Sequence, residues 1–146
     1  KNPPLRDKVL ALGEKEQWTQ RIQELVQSRQ GLWGWKDPRT CLTIELYHKW
    51  LVNPHYICTK RSHKAIIKSL EKRGTKKHGD NFWQKLIERY ENNRDFFLTS
   101  VDSPHCQVEF ERLVDRNRWK IELKMLAEFV GVEADMEKAR NIIQWK

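Results

Sequence analysis

Nothing in this sequence approaches the roughly 20 consecutive apolar residues that a bilayer-spanning helix needs, and its opening KNPPLRDK holds no apolar stretch of the signal-peptide kind. These residues carry no membrane segment, and a cytoplasmic domain is the expectation. Cysteine is scarce: Cys41, Cys58 and Cys106 are odd in number, far apart and without a CxxC pair, which points away from both a disulfide framework and a zinc site. Free thiols of this kind suit a reducing compartment, although a domain of a larger secretory-pathway protein would carry them equally well. No internal repeat, low-complexity tract or dividing linker is present, so residues 1–146 read as a single domain. RNA-type aromatic motifs are missing and the basic residues are interleaved with acids, which ranks a nucleic-acid-binding or other non-catalytic basic module last.

What is present is charge and aromatic surface. Lys and Arg total 28 against 20 Asp and Glu, a formal net charge of +8 that favours anionic ligands. Charged residues make up 33% of the chain and the mean hydropathy is -0.84, yet seven Trp and five Phe argue for a folded core.

Periodicity divides the chain into elements. WTQRIQELVQ sets Trp18, Ile22, Leu25 and Val26 at helical spacing, predicting a helix over about 15–29. Leu32-Trp33-Gly34-Trp35, between Gly31 and Pro38, reads as a buried strand ending near Lys36. RTCLTIELYHKWLV offers Leu42, Leu46, Trp50 and Leu51 to one helix face, closed by Asn53-Pro54. His55 to Thr59 is the next strand, followed by a helix with Ser62 as N-cap and Gly74 past its end. Strand, helix, strand, helix over 31–74 predicts a βαβ unit with parallel strands. Beyond the basic stretch KRGTKKHGD, which is either an attractor of anionic acceptors or a solvated loop, a long helix runs through Phe82, Leu86, Tyr90 and Phe97 until Ser103-Pro104. Cys106 to Phe110 is a weaker third strand, Trp119 to Phe129 a helix stopped by Gly131, and 134–143 a last short helix.

In an open parallel sheet, ligands bind beyond the carboxyl ends of the strands, where helices begin and their free N–H groups favour anions. That rule selects Lys36-Asp37-Pro38-Arg39 and Lys60-Arg61-Ser62. Arg61 offers a planar fork for phosphate, and Ser69 stands eight residues on, about two helical turns. The alternative is an Arg61 paired with a surface carboxylate and a Ser69 that the helix merely tolerates.

The stretch WGWKDPRTCLTIELYHKWLVNPHYICTKRSHKAIIKSL resembles the middle of the sulfotransferases, where a strand ends in Lys-x-Pro and a later one in Arg with Ser eight residues on. Phe110-Glu111-Arg112-Leu113 resembles the family's Tyr-Glu-Asp-Leu, and Phe129-Val130-Gly131-Val132 its Phe-Leu-Gly-Leu; the likeness covers about 31–132. It implies an α/β, helix-rich, parallel-sheet nucleotide-binding fold of the P-loop and sulfotransferase type. It further implies transfer of a sulfuryl group from 3′-phosphoadenosine 5′-phosphosulfate to a hydroxyl or amine of a small-molecule or glycan acceptor, with no metal. Arg61 and Ser69 would bind the donor's 3′-phosphate. Lys36 would steady charge on the bridging oxygen, unless it is a strand-end lysine reaching to solvent. Asp37 would be either the base for the acceptor hydroxyl or a cap for the next helix, and Arg39 would contact ligand or face solvent.

Two features depart from that family. Its 5′-phosphosulfate loop belongs to an N-terminal strand-loop-helix, and nothing here matches GxxxxGK[ST] or Lys-Ser-Gly-Thr. The expectation is a domain lacking that piece, a loop supplied from elsewhere, or a chain without turnover. The histidine that cytosolic members carry just after the lysine is also missing, since Asp37-Pro38-Arg39 replaces it and His48, His63 and His105 are scattered. A related nucleotide or small-molecule kinase is the competing enzyme class, separable by donor because ATP has no 3′-phosphate.

Overall fold

A computed structural model describes residues 6–72 and 79–143. Its elements run α1 (Arg6–Gly13), α2 (Glu16–Gln27), α3 (Thr40–His48), β1 (Tyr56–Lys60), α4 (His63–Lys72), α5 (Asp80–Ser100), β2 (His105–Glu109), α6 (Phe110–Leu113), α7 (Trp119–Val130) and α8 (Met136–Ile142). The architecture is helix-rich with a two-stranded parallel sheet, a broad α/β arrangement. Gly74 and most of the basic stretch 72–80 lie outside the described residues. Among the described residues no helix is long and apolar enough to cross a membrane.

The chain divides into two compact units, Lys1–Pro54 with Leu70–Ser103 and His55–Ser69 with Pro104–Lys146. In the first, α3 packs against α1, α2 and α5. Its two buried residues, Leu42 and Ile44, stand two apart and so face different sides of the helix, which suits an element enclosed by neighbours. Around it are Val9, Ile22, Val26, Trp83, Ile87 and Phe97. The Arg6 guanidinium grips Glu45 with both arms, Nε at 2.7 Å and Nη2 at 2.6 Å, tying α1 to α3. α3 stops at His48, short of the expected Asn53-Pro54: Trp50 N–H and Leu51 N–H close a final turn onto Tyr47 and His48 carbonyls, and Asn53 takes a left-handed φ of 49°.

The expected strand before Lys36 is not formed. Residues 33–37 belong to no strand, and the aromatic surface that suggested one is spent locally. Trp33 stacks on Trp35 with centroids 5.4 Å apart, and Trp35 meets Tyr47 at 5.6 Å. High β propensity makes no strand without a ladder partner. The βαβ unit anticipated over 31–74 is therefore replaced by a parallel pairing of β1 with β2, in register Tyr56 to His105 through Lys60 to Glu109.

In the second unit that register sets Ile57 beside Cys106 and Thr59 beside Val108 on one face. α7 covers the β2 side of this face, where Cys106, Val108, Glu122, Leu126 and Phe129 enclose a cavity of about 40 Å³. Gly131 closes α7 in the left-handed conformation, φ 73°, and the Val132 N–H reaches back to the Ala127 carbonyl at 2.9 Å, the Schellman arrangement that glycine permits.

Candidate functional site

Because β1 and β2 are parallel, both carboxyl ends open on one edge, and the residues leaving them become neighbours. β1 runs into Arg61 and Ser62, then α4; β2 runs directly into α6. Ser62 caps α4 as expected, its hydroxyl accepting from the Ala65 N–H at 3.3 Å and its carbonyl from Ala65 and Ile66 at 3.0 Å.

Arg61 is held at this edge by contacts that leave a donor unused. Its guanidinium lies over the Phe110 ring, 4.5 Å from the centroid, and its Nε sits 3.5 Å from Glu111 Oε1. That is ion-pair range without a hydrogen bond: Nε is buried and has no acceptor among the described residues. The side chain is 22% exposed, so the charge is half withdrawn from water while Glu111, at 53%, stays wet. Ser69 lies within α4, seven residues and about 10 Å of helix beyond Ser62.

The same edge carries a second charged set. Arg112 pairs with Glu109 at 3.1 Å and with the buried Glu122 at 3.4 Å. Arg61 and Arg112 are thus met by Glu111, Glu109 and Glu122, Lys60 stands in register with Glu109, and the edge that the strand ends made basic is balanced by acids arriving from β2, α6 and α7. Sequence reasoning missed this, along with the role of Phe110; the signal available to it was the strand candidate ending at Phe110, whose parallel pairing brings residues 110–112 beside Arg61.

Lys36 and Asp37 belong to the first unit, Arg61 and Ser69 to the second, so the grouped residues are divided between units. Lys36 is exposed and follows Trp35. Asp37 opens a turn with Pro38 next in line: its carbonyl accepts from Thr40 N–H at 2.9 Å, its Oδ1 from Arg39 N–H at 2.8 Å, and its carboxylate grips the Arg39 side chain with Nη2 to Oδ2 at 2.6 Å. Those bonds from Arg39, side chain first and backbone second, hold the Asp37 carboxyl down at about 2. The same carboxylate raises Arg39 above its ordinary value. Nearby, burial pushes the Cys41 thiol and the Tyr90 hydroxyl upward, leaving both protonated at neutral pH. On β1, burial pushes Tyr56 up to about 12.

Among the described residues, no group of three or more His, Cys, Asp or Glu could hold a metal ion. No protein-family model, curated protein or solved structure matches the chain.

Proposed function

We propose that this chain holds the 3′-phosphate half of a nucleotide site and serves sulfuryl transfer from 3′-phosphoadenosine 5′-phosphosulfate to a hydroxyl or amine, on a parallel sheet of the sulfotransferase type. The observation that carries the reading is Arg61: a half-buried guanidinium at the carboxyl end of a parallel strand, over the Phe110 ring, with a buried Nε that no acceptor among the described residues fills. A phosphate oxygen at that Nε would form a charge-assisted bond of roughly 2.7–2.9 Å, shorter than the 3.5 Å approach of Glu111. The exposed Glu111 can swing into solvent as the dianion arrives. Ser69, eight residues on in α4, is the hydroxyl partner that the family resemblance assigns to the same phosphate.

In the transfer step the acceptor oxygen or nitrogen attacks sulfur, the sulfur–oxygen bond to the donor's 5′-phosphate breaks, and the bridging oxygen gains negative charge, which the family resemblance alone gives to Lys36 to steady. The acceptor proton needs a base. A carboxyl held at about 2 is a weak one, so its turn and its grip on Arg39 favour a positioning role for Asp37 over proton abstraction.

The test is calorimetric titration of 3′-phosphoadenosine 5′-phosphate into the full chain, with ADP alongside as the ligand without a 3′-phosphate. Expected is a clear preference for the 3′-phosphorylated nucleotide, weakened roughly 10- to 100-fold by Arg61→Ala and about 3- to 10-fold by Ser69→Ala, the range for losing a charged and a neutral hydrogen bond. Equal affinity of wild type and Arg61→Ala sinks the assignment, and a preference for ADP turns it toward phosphoryl transfer.

A further inference from the structure

The first unit holds a cleft of about 350 Å³ lined by Leu25 and Arg29 at the end of α2, by Trp33 and Trp35, and by Tyr47 of α3. That is within the size range of small-molecule sites, and well above the roughly 150 Å³ that accepts a benzene ring. Its walls are set without a ligand. Trp33 and Trp35 stack at an interplanar angle of 22°, and the Trp35 indole N–H donates to Thr40 Oγ1 at 3.1 Å, which fixes the ring while leaving the residue 44% exposed. Aromatic walls alone would suit a neutral ring or a cation equally. Arg29 breaks that tie. Its guanidinium stands 6.0 Å from the Trp33 centroid, it forms no ion pair among the described residues, and no Asp or Glu lines the cleft.

We propose that this cleft binds a planar aromatic carboxylate, the ring packed against the stacked Trp33–Trp35 pair and the carboxylate taken by the Arg29 fork. The site lies wholly in the first unit and uses neither Arg61 nor Ser69, so it stands independently of sulfuryl transfer. The probe is 2-naphthoate, titrated into the full chain and followed by heat and tryptophan emission. 2-Naphthol and 1-naphthylmethylammonium serve as its neutral and cationic comparators. Expected is binding of 2-naphthoate at least about tenfold tighter than either comparator. Trp33→Leu should weaken all ring binding about tenfold, whereas Arg29→Gln, a change at an exposed side chain that leaves the fold intact, should abolish the preference for the carboxylate and keep the ring. Arg61→Ala should bind 2-naphthoate as wild type does. No binding of 2-naphthoate, comparators that bind as tightly, or an Arg29→Gln chain that keeps its preference would each overturn the proposal.

Discussion

In the first unit a helix, α3, is enclosed by three others, and the buried set runs from Val9 through Ile22, Val26, Leu42, Ile44, Trp83 and Ile87 to Phe97. In the second, the buried apolar residues among those described are Val108, Trp119 and Ala127. The contrast follows from the elements. Helices satisfy their own backbones and need only apolar stripes to meet, whereas a two-stranded sheet is marginal until something covers its face. Here α7 is that cover, bringing Glu122, Leu126 and Phe129 against Cys106 and Val108, and Trp119 at its start is the largest buried side chain of the unit among the described residues. The unit with the thinner core therefore carries the candidate phosphate site, and its organisation depends on fewer side chains.

The sharpest way to break this comparison is a pair of truncations. Trp119→Ala and Phe97→Ala remove side chains that are 4% and 3% exposed, and each should cost about 3–5 kcal/mol in urea denaturation. Amide exchange separates them: Trp119→Ala should release the β1 and β2 amides while α3 and α5 keep protection, and Phe97→Ala should do the reverse. A single cooperative loss of protection in both variants would erase the energetic distinction between the units.

A smaller effect probes how tightly the first unit is packed. A Cβ on Gly13 would overlap the Leu46 side chain, so Gly13→Ala should lose about 1–2 kcal/mol by overpacking, despite alanine's better helix propensity. A thermal melt that shows stabilisation would mean that this packing is loose. In the second unit, Ser62→Ala should cost about 0.5–1 kcal/mol, at the low end for an N-cap because its bond is 3.3 Å long. Asp135→Ala, where Lys138 N–H donates at 2.8 Å, should cost more.

The smallest expected change concerns acid. The Asp37 carboxyl titrates at about 2 in the folded chain against 3.8 when free. Its pair with Arg39 thus stabilises the fold above about pH 4, and that contribution disappears as pH falls toward 2. Carboxyl ¹³C shifts should show the low titration in wild type and its return toward the free value in Arg39→Gln. A wild-type midpoint near 4 would mean that the pair does not form in solution.

Much of this was legible beforehand. α2, β1, β2, α7 and α8 lie within a residue or two of the expected bounds, because each carries a clear apolar run or period or a stop such as Gly131. α1 carried no apolar stripe strong enough to be seen, since its buried residues are only Val9 and Gly13. The strand before Lys36 failed for a different reason: Trp33 and Trp35 have the right chemistry for a sheet, but pairing depends on a partner that local sequence does not specify. The candidate site divides the same way. Arg61 and Ser69 were chosen by residue type and spacing, while the acid that faces Arg61, Glu111, arrives fifty residues later in the chain and was invisible until β1 and β2 were paired.

That pairing has a consequence for how the molecule assembles. Tyr56 finds His105 across roughly fifty residues of intervening chain, whose closure costs entropy before any ladder bond rewards it. During synthesis β1 emerges long before β2 and waits with both edges open, while the intervening α5 already has helical neighbours to dock upon. The first unit can thus be largely built before the edge that carries Arg61 exists, and a chain stopped ahead of residue 105 would retain an arginine with nothing to shape it.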